Sequence, residues 1–93
     1  MKSIDVVKRG KSRTTESFER AKLERSIRAA MRTVKTPDGQ ADDTARAVCD
    51  VVMQWLETRP EVTSADLRRQ AAAALHPLHP EAAFIYQNYK VIM

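Results

Sequence analysis

Four prolines, at positions 37, 60, 77 and 80, set the outer limits of every helix this chain can form. A proline ring fixes φ near −65° and removes an amide donor, so it opens a helix or ends one. Between these points the apolar residues follow a helical period. Leu23, Ile27, Ala30, Met31 and Val34 make one stripe over about four turns, which predicts a first helix over about 19–34. Thr36-Pro37-Asp38-Gly39 breaks the stripe. A second helix is predicted over about 42–58, capped by Asp42 or Asp43, with Ala45, Val48, Val52, Trp55 and Leu56 inward. Thr63-Ser64-Ala65-Asp66 has the form of a capping box and opens a third helix, about 64–75, that buries Leu67, Ala71, Ala74 and Leu75. Pro80 suits the first turn of a fourth, about 80–92, with Ala82, Ile85, Tyr86, Tyr89 and Met93 as its stripe.

The first eighteen residues read differently. Ser3 to Lys8 alternates at period two, Gly10 offers a turn, and Thr14 to Phe18 suits a return strand, so a hairpin is expected over about 3–18. Lys8 and Glu16 would then share the face of Ile4, Val6 and Phe18, where a charge needs a partner. The fold class expected is mainly α, a four-helix bundle capped by an N-terminal β-hairpin or small sheet, in one domain spanning residues 1–93.

At 93 residues and 10.5 kDa the chain has room for a lean core and no deep substrate cavity. Its single cysteine excludes a disulfide scaffold and a cysteine-built zinc site. No apolar run approaches the ~18 residues of a membrane span, and no secretory core follows Met1, so a soluble cytoplasmic module with no membrane partner is expected. Charge is unevenly placed. Residues 1–35 hold eleven Lys and Arg against four acids, while residues 36–93 hold five against eight. Such a basic half suits an anionic partner, or else a solvated helix face.

Most local motifs have dull readings. Gly10-Lys11-Ser12 resembles the tail of a phosphate-binding loop, but Asp5 stands where that loop needs glycine. His76 and His79 precede prolines between helices and suit loop punctuation better than metal ligation. Cys49 falls mid-helix, where a small buried hydrophobe is the simpler role. No general base or nucleophile stands out, so no enzymatic activity is expected. One constellation remains. A hairpin lying over the first helix would bring Lys8, Arg9 and Lys22 together near a helix start, with Lys90 closing the last helix. Converging cations beside a helix N-terminus suit a polyphosphate.

These residues carry a resemblance. Val6-Val7-Lys8-Arg9-Gly10, Phe18 with Lys22-Leu23-x-x-Ser26-Ile27, Val62 to Leu67, and Ala82-Ala83-x-x-Tyr86-x-x-Tyr89-Lys90 are similar, in this order, to the ATP-cone domain. That family comprises regulatory modules of ribonucleotide reductases and of a bacterial repressor of reductase genes. The resemblance implies a four-helix bundle capped by a small sheet. It also implies ATP or dATP as ligand, with Mg2+ accompanying the phosphates, and a change of oligomeric state or of reductase activity as output. Carried over by position, it implies phosphate contacts from Lys8, Arg9, Lys22 and Lys90. Val6, Val7, Glu16, Glu19, Ser64 and Arg68 would lie near base, ribose or phosphate. No metal ligand from protein side chains is implied. The chain departs from the family where Gly10 follows Arg9 directly instead of an acid, and where Glu19 replaces the usual Asp or Asn cap. Two other readings stand beside this one: a basic nucleic-acid-binding or transcription-regulatory domain, and a degenerate cone serving as a protein-interaction module.

Overall fold

The computed structural model describes residues 5–7, 15–59 and 61–88, with the strand residues 5–7 and 15–17 described by their backbone. The chain is mainly helical. Its elements run β1 (Asp5–Val7), β2 (Thr15–Ser17), α1 (Arg20–Thr33), α2 (Asp38–Leu56), β3 (Glu61–Thr63), α3 (Ser64–Leu75) and α4 (Pro80–Asn88). α1 and α3 each pack on α2 and α4, so the four helices take the corners of a square in chain order. Short connections make successive helices antiparallel. The starts of α1 and α3 and the ends of α2 and α4 therefore lie at one end of the bundle, and the strands join the helices there.

The three short strands form one sheet in the order β2-β1-β3. β1 pairs antiparallel with β2, with Val6 opposite Glu16 and Val7 opposite Thr15. It pairs parallel with β3, with Val6 opposite Val62 and Val7 opposite Thr63. β3 was not expected from the sequence. It has three residues, exposed Glu61, buried Val62 and half-buried Thr63, and a run that short carries almost no period-two signal.

The core follows the predicted stripes. Leu23, Ile27, Ala30 and Met31 from α1 meet Ala45, Val48, Cys49, Val52 and Leu56 from α2, with Leu67, Ala71 and Leu75 from α3 and Ala82, Ala83 and Tyr86 from α4. Trp55 is only half-buried; its ring lies under the Arg59 guanidinium, 4.7 Å from the centroid. Cys49 is a free thiol with no solvent exposure. Ser26 is the buried polar residue among these stripes, and it is fully paired. Its hydroxyl donates to the Leu23 carbonyl at 2.8 Å, so the Tyr86 hydroxyl, 3.2 Å away, is the donor in their mutual hydrogen bond.

One boundary differs from expectation. α2 begins at Asp38, four residues ahead of the predicted caps, and Asp42 and Asp43 lie inside it. Pro37 stands at the N-cap with φ −57° and ψ 143°, and its carbonyl accepts from the Ala41 amide at 2.9 Å. The proline presets the entry to the helix, and the Asp38 carboxylate sits beside the positive end of the helix dipole. Gly39 is thus helical and not a breaker. A methyl group at its Cβ would meet nothing within 4 Å. Gly39→Ala is expected to stabilise the fold by about 0.5–1 kcal/mol, raising the melting midpoint by roughly 2–6 °C, because it removes unfolded-state freedom without strain. An unchanged or lower midpoint in calorimetry would count against a helical Gly39.

α1 ends differently, in a left-handed turn. Lys35 has φ 60°, its amide donates to the Arg32 carbonyl, and the Thr36 amide donates back to the Met31 carbonyl. This is the Schellman arrangement that glycine usually closes. At the same end of the bundle His79 ties two connections together. Its Nδ1 accepts from the Ala82 amide at 3.4 Å and its Nε2 lies 3.1 Å from Thr36 Oγ1, so Nε2 carries the proton and donates.

Candidate functional site

At the sheet end, the parallel pairing sets the last residue of β1 beside the last residue of β3. Val7 faces Thr63 in register, and Ser64 opens α3 directly afterwards. Thr63 caps that helix, its Oγ1 accepting the Asp66 amide at 3.0 Å, as the capping-box pattern predicts. Asp66 is held below the usual carboxylate range, chiefly by its interaction with Thr63 and also by Arg69, whose guanidinium is 3.0 Å away. α1 starts at the same end. Glu19 occupies its N-cap with extended backbone and makes no side-chain cap hydrogen bond. Two helix N-termini, each with amides lacking intrahelical acceptors, therefore open toward the sheet.

The structure places the sequence-predicted residues unequally. Val6, Val7 and Glu16 lie in β1 and β2, and the backbone brings all three into one stretch of ladder. Lys22 is exposed in the first turn of α1, with Nζ 3.7 Å from a Glu19 carboxylate oxygen. Ser64 is half-buried as the first residue of α3. Lys8, Arg9 and Lys90 lie outside the described residues. Arg68 has a structural engagement that its sequence position does not suggest. Its guanidinium donates to the Tyr86 carbonyl at 3.0 Å and lies over the Tyr86 ring, 5.4 Å from the centroid, locking α3 to α4.

Several cations of the basic half serve the helix seam. Arg20 bonds Glu24 and Asp50, both at 2.8 Å, and donates to the Arg46 carbonyl. Hydrogen bonds to those two carboxylates raise its already high pKa. Arg28 lies 3.6 Å from Glu24 and 3.7 Å from Asp42. The spacing of Arg20, Glu24 and Arg28 at four-residue steps was the available signal for the pairs within α1; the reach to α2 had none.

A groove of about 450 Å³ runs between α3 and α4, with Ala72, Ala73, Ala83 and Phe84 along it and Arg69 and His76 at its edge. It includes none of the residues that the resemblance places near a nucleotide. Among the described residues no cluster of His, Cys, Asp and Glu could hold a metal ion, and no helix is long and apolar enough to cross a membrane. No family model matches the chain, and neither a curated protein nor a solved structure matches it.

Proposed function

We propose that the chain is an adenine-nucleotide-binding regulatory module, resembling the ATP cone, in which ATP or dATP occupies the sheet end of the bundle. Nucleotide occupancy then alters self-association or the activity of a ribonucleotide reductase or related protein. The observation that carries this reading is the β1–β3 register. It sets the residue preceding Lys8 and Arg9 in sequence beside the residue preceding Ser64, so two segments far apart in the chain start from adjacent strands. The N-termini of α1 and α3 supply partial positive charge at the same end. Lys22 adds a full charge there. Its contact with Glu19 is exposed on both sides and worth under about 1 kcal/mol, so a triphosphate can displace it.

In this reading Lys8, Arg9, Lys22 and Lys90 hold phosphates, and Val6, Val7, Glu16, Glu19 and Ser64 border base and ribose. Arg68 positions α4 through Tyr86 and borders the ligand from beneath. A helical module of this kind signals through assembly, because a ligand shifts an equilibrium only by its different affinity for the two states.

Melting the protein with and without millimolar ATP or dATP, in the presence of Mg2+, tests the reading. A ligand at ~100 times its Kd adds about 2.7 kcal/mol and raises the midpoint by about ten degrees or more in a domain this small. Lys8→Ala combined with Lys22→Ala is expected to abolish the rise. Light-scattering mass in each state reports the assembly change. No shift with either nucleotide at millimolar concentration rejects the proposal.

A further inference from the structure

We propose that the outward face of α1 is a second anion surface, one that docks on the phosphate backbone of a nucleic-acid duplex through Arg25, Arg32 and Lys35. All three are exposed. Among the described residues none of them has an acidic partner, whereas Arg20 and Arg28 of the same helix turn to the carboxylates of Glu24, Asp42 and Asp50. The carboxylates of Glu24, Asp42 and Asp50 are thus gathered on the α1–α2 seam, and Arg25, Arg32 and Lys35 are left without one. At 100° per residue, Arg25 and Arg32 fall within about 20° of one another and about 10 Å apart along the axis, with Lys35 one turn further.

Two features favour a duplex backbone over other anions. Guanidinium groups bind phosphate oxygens bidentately and are the preferred phosphate contact. α1 contains no aromatic residue, so the face offers no platform for stacking the bases of a single strand. Lys35 supplies an independent argument. It occupies the left-handed position that closes α1, at φ 60°, where glycine would be free of steric strain. Holding a lysine there extends the cationic row to the second residue beyond the helix.

Fluorescence anisotropy with a labelled mixed-sequence duplex of about 20 base pairs tests this at 50 and 200 mM NaCl. Three phosphate contacts give a log–log slope near −2.7, an approximately 40-fold loss of affinity between those salts. The triple variant Arg25→Gln, Arg32→Gln, Lys35→Gln is expected to lose binding at 50 mM while melting as the parent does. Lys35→Gly alone is expected to melt higher by about 2–5 °C and yet bind more weakly, with the salt slope reduced by about one. That opposition separates a functional lysine from a merely tolerated one. Absence of binding at 50 mM salt, unchanged binding by the triple variant, or preference for phosphatidylserine vesicles over the duplex overturns the proposal. The triple variant also keeps any ATP-induced rise in melting midpoint; its loss would assign the face to the nucleotide site and overturn a separate surface.

Discussion

Tyr86→Ala is expected to lower stability by about 3–5 kcal/mol, the range for removing a large buried aromatic ring. A 93-residue domain has roughly 5–14 kcal/mol in total, so this one change takes the protein close to unfolding. The reason lies in what Tyr86 joins. Its ring has no solvent exposure where α4 packs on α1 and α3, its hydroxyl reaches Ser26 of α1, and its face meets the Arg68 guanidinium of α3. Tyr86→Phe keeps the ring and is expected to lose only about 0.5–1.5 kcal/mol, because Ser26 retains its bond to the Leu23 carbonyl. Ser26→Ala takes away the acceptor of the Tyr86 hydroxyl and is expected to lose about 1–3 kcal/mol. Combining it with Tyr86→Phe is expected to recover part of that loss, since both polar partners then leave together. Urea denaturation of the four proteins measures the cycle. A Tyr86→Ala loss below about 1 kcal/mol, or strict additivity of the other two, contradicts this account of the α1–α4 contact.

Alkaline pH is expected to destabilise the protein through two buried groups. Burial pushes the Cys49 thiol up to about 12 from its ordinary 9.0, assisted by the negative charge of Glu24. Burial also raises the Tyr86 phenol, partly offset by its hydrogen bond to Ser26 and by the nearby Arg68 charge. In both cases the folded state holds the proton more tightly than the unfolded state. Stability is therefore full below pH 9 and falls as pH rises toward the folded-state value, because only the unfolded chain gains from ionisation. For Cys49 alone the loss reaches about 2–3 kcal/mol by pH 11, or about 10–20 °C in melting midpoint. Cys49→Ala is expected to flatten the profile between pH 8 and 10 and to leave a residual decline from Tyr86 above pH 10. The same burial makes the thiol inert: at pH 8 a chromogenic disulfide reagent is expected to react only as fast as the protein opens. Rapid labelling of the native protein, or a midpoint that holds level to pH 11, disproves the buried-thiol description.

The stripe of α1, the Thr63 cap and the stop at Leu75 before His76-Pro77 are local patterns, and the structure repeats them at the predicted positions. The early start of α2 at Asp38 is hidden in the sequence because Gly39 has the look of a breaker, while Pro37 sets the entry geometry ahead of it. The hydroxyl partner of Tyr86 lies sixty residues away in the chain, and nothing in either neighbourhood announces it. The candidate site divides similarly. Lys22 at the start of α1 and Ser64 at the start of α3 stand in their helices where the sequence places them, whereas Arg68, assigned to the ligand by resemblance, is engaged by Tyr86.

By itself the sequence settled roughly where the four helices lie, that Thr63 caps α3 and which faces turn inward, since spacing, prolines and short polar caps act over a few residues. Only the tertiary structure decided that β3 exists, that it runs parallel to β1, and that α1 directs some of its cations to α2 and leaves others outward. Those outcomes depend on pairings between residues far apart in the chain, where the energy comes from a partner that no local pattern specifies.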